Sequence, residues 1–182
     1  MEKLETATFA GGCFWCTEAI FKRLKGVETV VSGYSGGTKE NPSYDEVSSG
    51  ETGAQEAIQI TFDSSVVSYT KLLEIFFKTH DPTSYDRQGA DIGSQYRSVV
   101  FYHNNNQKKD VETMIKKLDE AKVFAGKIVT DVLPFEHFYE AEKYHQNFYD
   151  RNKDYGYCQV VINPKLDKLY KEFHSELKDD VA

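Results

Sequence analysis

The hydrophobic pattern of this chain keeps changing period, from the two-residue alternation of strands to the three-and-four spacing of helices. That repeated change confines it to a layered fold in which sheet and helices bury one face each against the other. Thr6 to Phe9 is a short β-prone run that Gly11-Gly12 breaks. From Phe14 to about Leu24, apolar Phe14, Ala19, Ile20 and Leu24, with Cys16 among them, follow helical spacing. Val27 to Tyr34 reads as a second strand, ended by Ser35-Gly36-Gly37. Gln55 to Phe62 alternates most cleanly of all, and Val66 to Thr79 is a helix with five large apolar side chains to bury. Val99 to His103 is another strand, and NNNQKKDVETMIKKLDEAKVF a long amphipathic helix with asparagines as cap candidates. The spacing further predicts a strand over Ile128 to Leu133 and a helix over Glu140 to Arg151. Gln159 to Ile162 is β-prone, and Lys165 to Leu177 makes a last helix with Pro164 at or just before its start. Two long polar loops, 38–54 and 80–98, interrupt the pattern and are where function is expected to sit. Strands paired with long helices favour an α+β two-layer sandwich over a doubly wound sheet.

At 182 residues the chain is expected to form one domain, 1–182. The net charge of −7, spread without blocks, excludes the basic footprint of nucleic-acid binding. No stretch reaches the roughly 18 apolar residues of a membrane span, and the N-terminus lacks a signal h-region, so a cytoplasmic location is expected. The three cysteines, Cys13, Cys16 and Cys158, are too few for a disulfide framework and point to reactive or structural thiols. Cys13 and Cys16 form a C-x-x-C without the second ligand pair that a zinc site needs.

Cys13 sits where a strand hands over to a helix. A helix N-terminus stabilises a thiolate, and the glycine pair before it lets backbone approach a ligand. Phe14 and Trp15 are adjacent helical residues and cannot face the same way, so at least one of them is expected beside Cys13. An aromatic wall next to a thiol suits a small apolar group such as S-methyl. In QEAIQITF, Glu56 shares its face with Ile58, Ile60 and Phe62. A carboxyl there is desolvated and kept neutral, ready to give up a proton. Tyr34, Asp91 and Tyr96 offer polar groups from loops and strand ends, while His145 reads as a surface or satisfied histidine. Together these groups suit attack of a thiolate on an electrophilic atom whose oxygen must leave protonated.

GGCFW, SGYSGG, NPSYDEVSSGETG, QEAI, HDPTSYDRQGADIGSQYRS, YHQNF and GYC occur here in one order, from about Phe9 to about Cys158. In this the chain resembles the A-type peptide methionine sulfoxide reductases. The resemblance implies a ferredoxin-like α+β core with additional helices and coil. It also implies reduction of methionine S-sulfoxide, free or in proteins, as repair of oxidative damage. Thioredoxin or a small dithiol would be the electron donor, with no metal or organic cofactor and a monomeric enzyme. By the same resemblance Cys13 is the nucleophile, Glu56 the acid, and Phe14 and Trp15 the methyl pocket. Tyr34, Asp91 and Tyr96 orient the oxygen, and His145 belongs to the substrate site.

Three departures stand out. Ala54 and Phe148 occupy positions where relatives often have His and Tyr, and QVVINPK replaces a glycine-rich tail after Cys158. Cys158 matches the resolving position and is expected to condense with oxidised Cys13, with Cys16 as the alternative. Two rival readings are a thioredoxin-like C-x-x-C disulfide oxidoreductase and a non-catalytic methionine-peptide binding module.

Overall fold

The computed structural model describes residues 3–181. Strands β1 (Leu4–Ala10), β2 (Val27–Gly36), β3 (Ala54–Asp63), β4 (Arg87–Gln88), β5 (Asp91–Ile92), β6 (Val99–Tyr102), β7 (Asp131–Pro134) and β8 (Phe138–Glu140) form two sheets. The helices are α1 (Phe14–Phe21), α2 (Tyr44–Ser48), α3 (Tyr69–Thr79), α4 (Asn105–Glu120), α5 (Phe148–Arg151) and α6 (Asn163–Glu172).

The main sheet runs β7-β6-β1-β3-β2-β8, and β4-β5 is a separate two-stranded ribbon. Read across the sheet centre, β6, β1, β3 and β2 are fourth, first, third and second in chain order, the split βαβ arrangement of ferredoxin-like folds. β3 inserts antiparallel between β1 and β2, which α1 connects. β7 and β8 extend the two edges.

The core lies between the helices and one face of the sheet. Ile58, Ile60 and Phe62 of β3 face Phe14, Ile20, Leu72, Phe76 and Leu169, all buried, as the alternation requires. The opposite face holds a smaller apolar group of Ala10, Ala57, Val99 and Phe101 beneath Phe135 and Phe138. Among the described residues no helix is long and apolar enough to cross a membrane.

Two segments depart from the sequence reading. Residues 140–151 form no continuous helix: they finish β8, make a 3-10 turn at Lys143–His145 and one turn of α5. The reason is the open edge of β2. There Ala141 N–H donates to Ser32 O, and the Gln146 side chain accepts from Ser32 N–H and donates to Ser32 O, satisfying backbone that a helix would leave bare. The second segment, 159–162, is no strand. Cys158–Ile162 is a π-helical turn running into α6, with Pro164 in that helix's first positions. Burying Cys158 and Ile162 while leaving Val160 exposed overrides the β-propensity of the run.

Candidate active site

The C-terminal ends of β1 and β2 and the N-terminal ends of β3 and β6 meet at one margin of the sheet. There the chain leaves Ala10, turns through Gly11-Gly12 and enters α1 with Cys13 as N-cap. Gly12 has φ +88°, and a Cβ on it would lie 2.6 Å from Gln88 Cγ. The Gln88 amide is held by Asp81, accepting from its N–H at 2.9 Å and donating to its O at 3.0 Å. The 80–98 loop is thus seated against the glycine turn. Gly12→Ala is expected to destabilise the fold by about 1–3 kcal/mol through backbone strain and to lower activity. A urea midpoint equal to the parent's would contradict this.

No side chain of Cys13 caps α1; a carboxyl does it instead. Phe14 N–H donates to Glu56 Oε2 at 3.0 Å, drawing Glu56 against the helix terminus that carries Cys13. Glu56 is 2% exposed, and burial raises its pKa to about 8 in spite of the Phe14 bond, with Asp91 and Cys16 adding to the rise. At neutral pH it is a protonated acid.

Cys13 behaves differently from the sequence expectation of a helix-stabilised thiolate. Burial, then its hydrogen bond with the Cys16 thiol, pushes the Cys13 pKa well up. In the pair the negative charge belongs on Cys16, which the bond from Cys13 brings down to about 7.

A cavity of about 160 Å³ opens on this thiol, lined by Cys13, Phe14, Trp15, Tyr44, Glu56, Asp91, Tyr96 and Tyr157. Its aromatic wall is rigid. The Trp15 ring stacks on Phe148 at 3.6 Å with 4° between planes, and its Nε1–H donates to His145 Nδ1 at 3.0 Å. His145 is therefore neither a surface residue nor part of the lining: it is buried on a 3-10 turn, packed behind Phe14 and Trp15. Burial lowers its pKa, and an Nδ1 that accepts makes it the neutral tautomer.

Polar groups converge from the other side. Tyr157 OH donates to Asp91 Oδ2 at 2.6 Å. Tyr44, Tyr96 and Tyr157 all have pKa values raised by burial, so their hydroxyls stay protonated. Tyr34 does not join them. Its ring packs behind Phe14, its hydroxyl donates to Glu142 Oε1 at 2.9 Å, and it is absent from the lining.

Tyr44 and Tyr157 are the lining residues that the sequence reading missed. For Tyr44 a signal existed: the S-x-x-E of Ser43 and Glu46 is a capping box, which makes Ser43 the N-cap and Tyr44 the first residue of α2. For Tyr157 only its place beside Cys158 pointed to it. Cys16 and Cys158 are both buried and lie outside the lining.

Residues 5–178 match the family model described as peptide methionine sulfoxide reductase. A peptide methionine sulfoxide reductase MsrA of Sulfolobus acidocaldarius is 59% identical over 170 residues, covering 93% of this chain and 96% of that protein. One from Saccharolobus solfataricus is 53% identical over 175 residues, covering 96% and 98%. Among solved structures, reduced Mxr1 of Saccharomyces cerevisiae superposes with a TM-score of 0.78 at 32% identity, covering 86% of this chain and 90% of that one. Methionine sulfoxide reductase A of Corynebacterium diphtheriae gives 0.74 at 33% identity, covering 82% and 76%. The chain belongs to the peptide methionine sulfoxide reductase family, as one of its A-type (S)-S-oxide reductases.

Proposed function

We propose that Cys13 attacks the sulfur of methionine S-sulfoxide, free or within a protein, and that Glu56 protonates the departing oxygen. One observation carries this reading: a buried carboxyl, neutral below about pH 8, is fastened by Phe14 N–H to the helix end that presents the thiol. The remaining groups fit the substrate atom by atom. Phe14 and Trp15 wall the part of the cavity suited to the methyl group, and the volume of about 160 Å³ suits one methionine side chain. The hydroxyls of Tyr44 and Tyr96 are donors for the sulfoxide oxygen, while Tyr157 gives its one proton to Asp91 and completes the polar wall.

In balanced form, the Cys13 sulfur bonds to the sulfoxide sulfur as its own proton leaves, and the Glu56 proton goes to the oxygen. The substrate S–O bond and the new S–S bond then break as the hydroxyl passes to the Cys13 sulfur, which releases the thioether and leaves Cys13 as a sulfenic acid, and the thiol proton restores Glu56. A second thiol of the chain displaces the hydroxyl as water to form a disulfide. A thioredoxin-type dithiol then reduces that disulfide. No metal or organic cofactor enters this scheme.

Supplied with thioredoxin and its reductase, or with dithiothreitol, the protein is expected to convert methionine S-sulfoxide to methionine and to leave the R epimer untouched. Chiral chromatography of a racemic sulfoxide decides it. Consumption of both epimers, or of the R epimer alone, would overturn the reading.

A further inference from the structure

Glu142 has no part in the reaction as described and lies outside the cavity lining, yet three segments around the cavity meet on its carboxyl group. We propose that Glu142 is a positioning residue: it fixes the first residue of α2 at a set place beside β2, and so aims the Tyr44 hydroxyl at the oxygen of the sulfoxide. This rests on Tyr44 being a donor to that oxygen.

Each carboxyl oxygen has its own donor. Oε1 accepts from the Tyr34 hydroxyl at 2.9 Å, and Oε2 accepts from Tyr44 N–H at 3.1 Å. Oε2 also takes a longer contact from the Tyr144 hydroxyl at 3.4 Å. Burial works against a charge on Glu142. Hydrogen bonds from its own N–H, Tyr44 N–H and the Tyr34 hydroxyl outweigh that effect and hold its pKa below the usual carboxylate range. The group is therefore ionised, and both oxygens accept.

Tyr44 needs such an anchor. It is the first residue of a helix of five, too short to persist without contacts to the rest of the protein. The capping box settles the internal shape of that turn: the Ser43 hydroxyl accepts from Glu46 N–H, and Glu46 Oε2 accepts from Ser43 N–H. The box leaves Tyr44 N–H without a partner in its own turn, and it does not fix where the turn sits. Glu142, 98 residues further along the chain, does both. At the far end of α2 the hydrogen bond from the Gln95 amide to Ser48 O is long, at 3.5 Å.

The other side of the bridge is set in the sheet. Tyr34 is fully buried on β2, stands opposite Glu56 in the β2–β3 register, and packs its ring on Phe14. Glu142 thus ties the strand position paired with the acid to the helix that carries the donor, through the two oxygens of one planar group. Its main chain completes the seat. Glu142 O accepts from His145 N–H at 3.0 Å, and the Tyr44 ring packs on the His145 ring at 4.6 Å. A hydroxyl that stabilises charge on a departing oxygen works best when it is aimed before the charge develops. The buried Tyr34 gains a role as well: it anchors Glu142 and does not touch the substrate.

Reach and charge can be separated by substitution. Glutamine keeps the reach: its amide oxygen accepts from Tyr44 N–H, and its amide nitrogen donates to the Tyr34 oxygen once that hydroxyl turns round. Aspartate keeps the charge but is one methylene shorter, so it loses the span between Tyr34 and Tyr44.

The test follows single-turnover formation of methionine from methionine S-sulfoxide by the full chain, without reductant. Tyr44→Phe should slow it roughly 10–100-fold, the range for losing one hydrogen bond to a charged group. Glu142→Asp, or Glu142→Ala if the aspartate variant fails to fold, should slow it at least about fivefold, with little change in affinity for the sulfoxide. In the Tyr44→Phe background the same substitution should cost less than about twofold, because the group it aims is already gone. Glu142→Gln should stay within about threefold of the parent, since both hydrogen bonds can re-form. A merely structural role for Glu142 would instead give losses that multiply with that of Tyr44→Phe, and that result overturns the inference. So does a Glu142→Gln protein as slow as Glu142→Asp, or a Glu142→Asp protein as fast as the parent beside an impaired Tyr44→Phe. A Tyr44→Phe protein as fast as the parent overturns the donor reading of Tyr44, and the inference with it.

Discussion

Glu56→Gln is expected to slow single-turnover formation of methionine by roughly 10²–10⁴-fold, the scale for losing a positioned general acid. That loss corresponds to about 3–5.5 kcal/mol of transition-state stabilisation. Affinity for the sulfoxide should change far less, because the acid acts on charge that develops as the S–O bond breaks. The substitution is mild structurally. A glutamine carbonyl can still accept from Phe14 N–H, so the terminus of α1 keeps its cap.

The pH dependence carries an independent signature. The active form of Glu56 is the protonated one, and its pKa is raised to about 8 by burial. The rate should therefore hold up through neutrality and fall about tenfold per pH unit above that value as the proton is lost. In Glu56→Gln this alkaline limb should vanish, leaving a low rate without it. An unchanged single-turnover rate, or an alkaline limb that persists in the variant, would show that Glu56 is a bystander.

Cys13→Ser is expected to abolish reduction of methionine S-sulfoxide with either reductant. The substitution separates chemistry from folding because Cys13 is the N-cap of α1 and its own side chain makes no cap bond there. Serine is a favoured N-cap residue, so stability should be kept or slightly raised. Its hydroxyl cannot form the sulfenic acid through which the oxygen leaves, and it is far harder to ionise than a thiol. Circular dichroism and a urea midpoint should match the parent while dithiothreitol-supported turnover disappears. More than a trace of activity in the purified variant would sink the assignment of Cys13.

Much of this was legible locally. Alternation across Gln55–Phe62 puts Glu56 on the face of Ile58, Ile60 and Phe62, and in the structure that face is the one packed beneath α1. The Gly11-Gly12 break ends β1 and starts α1 at the next residues, which sets Cys13 at a helix terminus. Both follow from rules spanning a few residues: the period of a strand, and the points where it fails.

What the sequence could not settle depends on which distant segments meet. Residues 140–151 have a pattern readable as helix, yet they lie as edge strand and turns because β2 leaves an open edge beside them. Which tyrosines face the cavity is likewise a matter of assembly. Tyr34 lies on a strand with the expected spacing, but Glu142, 108 residues on, claims its hydroxyl, while Tyr44 and Tyr157 arrive from a short helix and the far end of the chain. Tertiary structure also decided the ionisation of the thiols. A helix terminus alone favours a Cys13 thiolate, but burial and the neighbouring Cys16 reverse that preference. Period and turn chemistry act along the chain; desolvation and partner choice act across it, and they exist only once the chain has closed on itself.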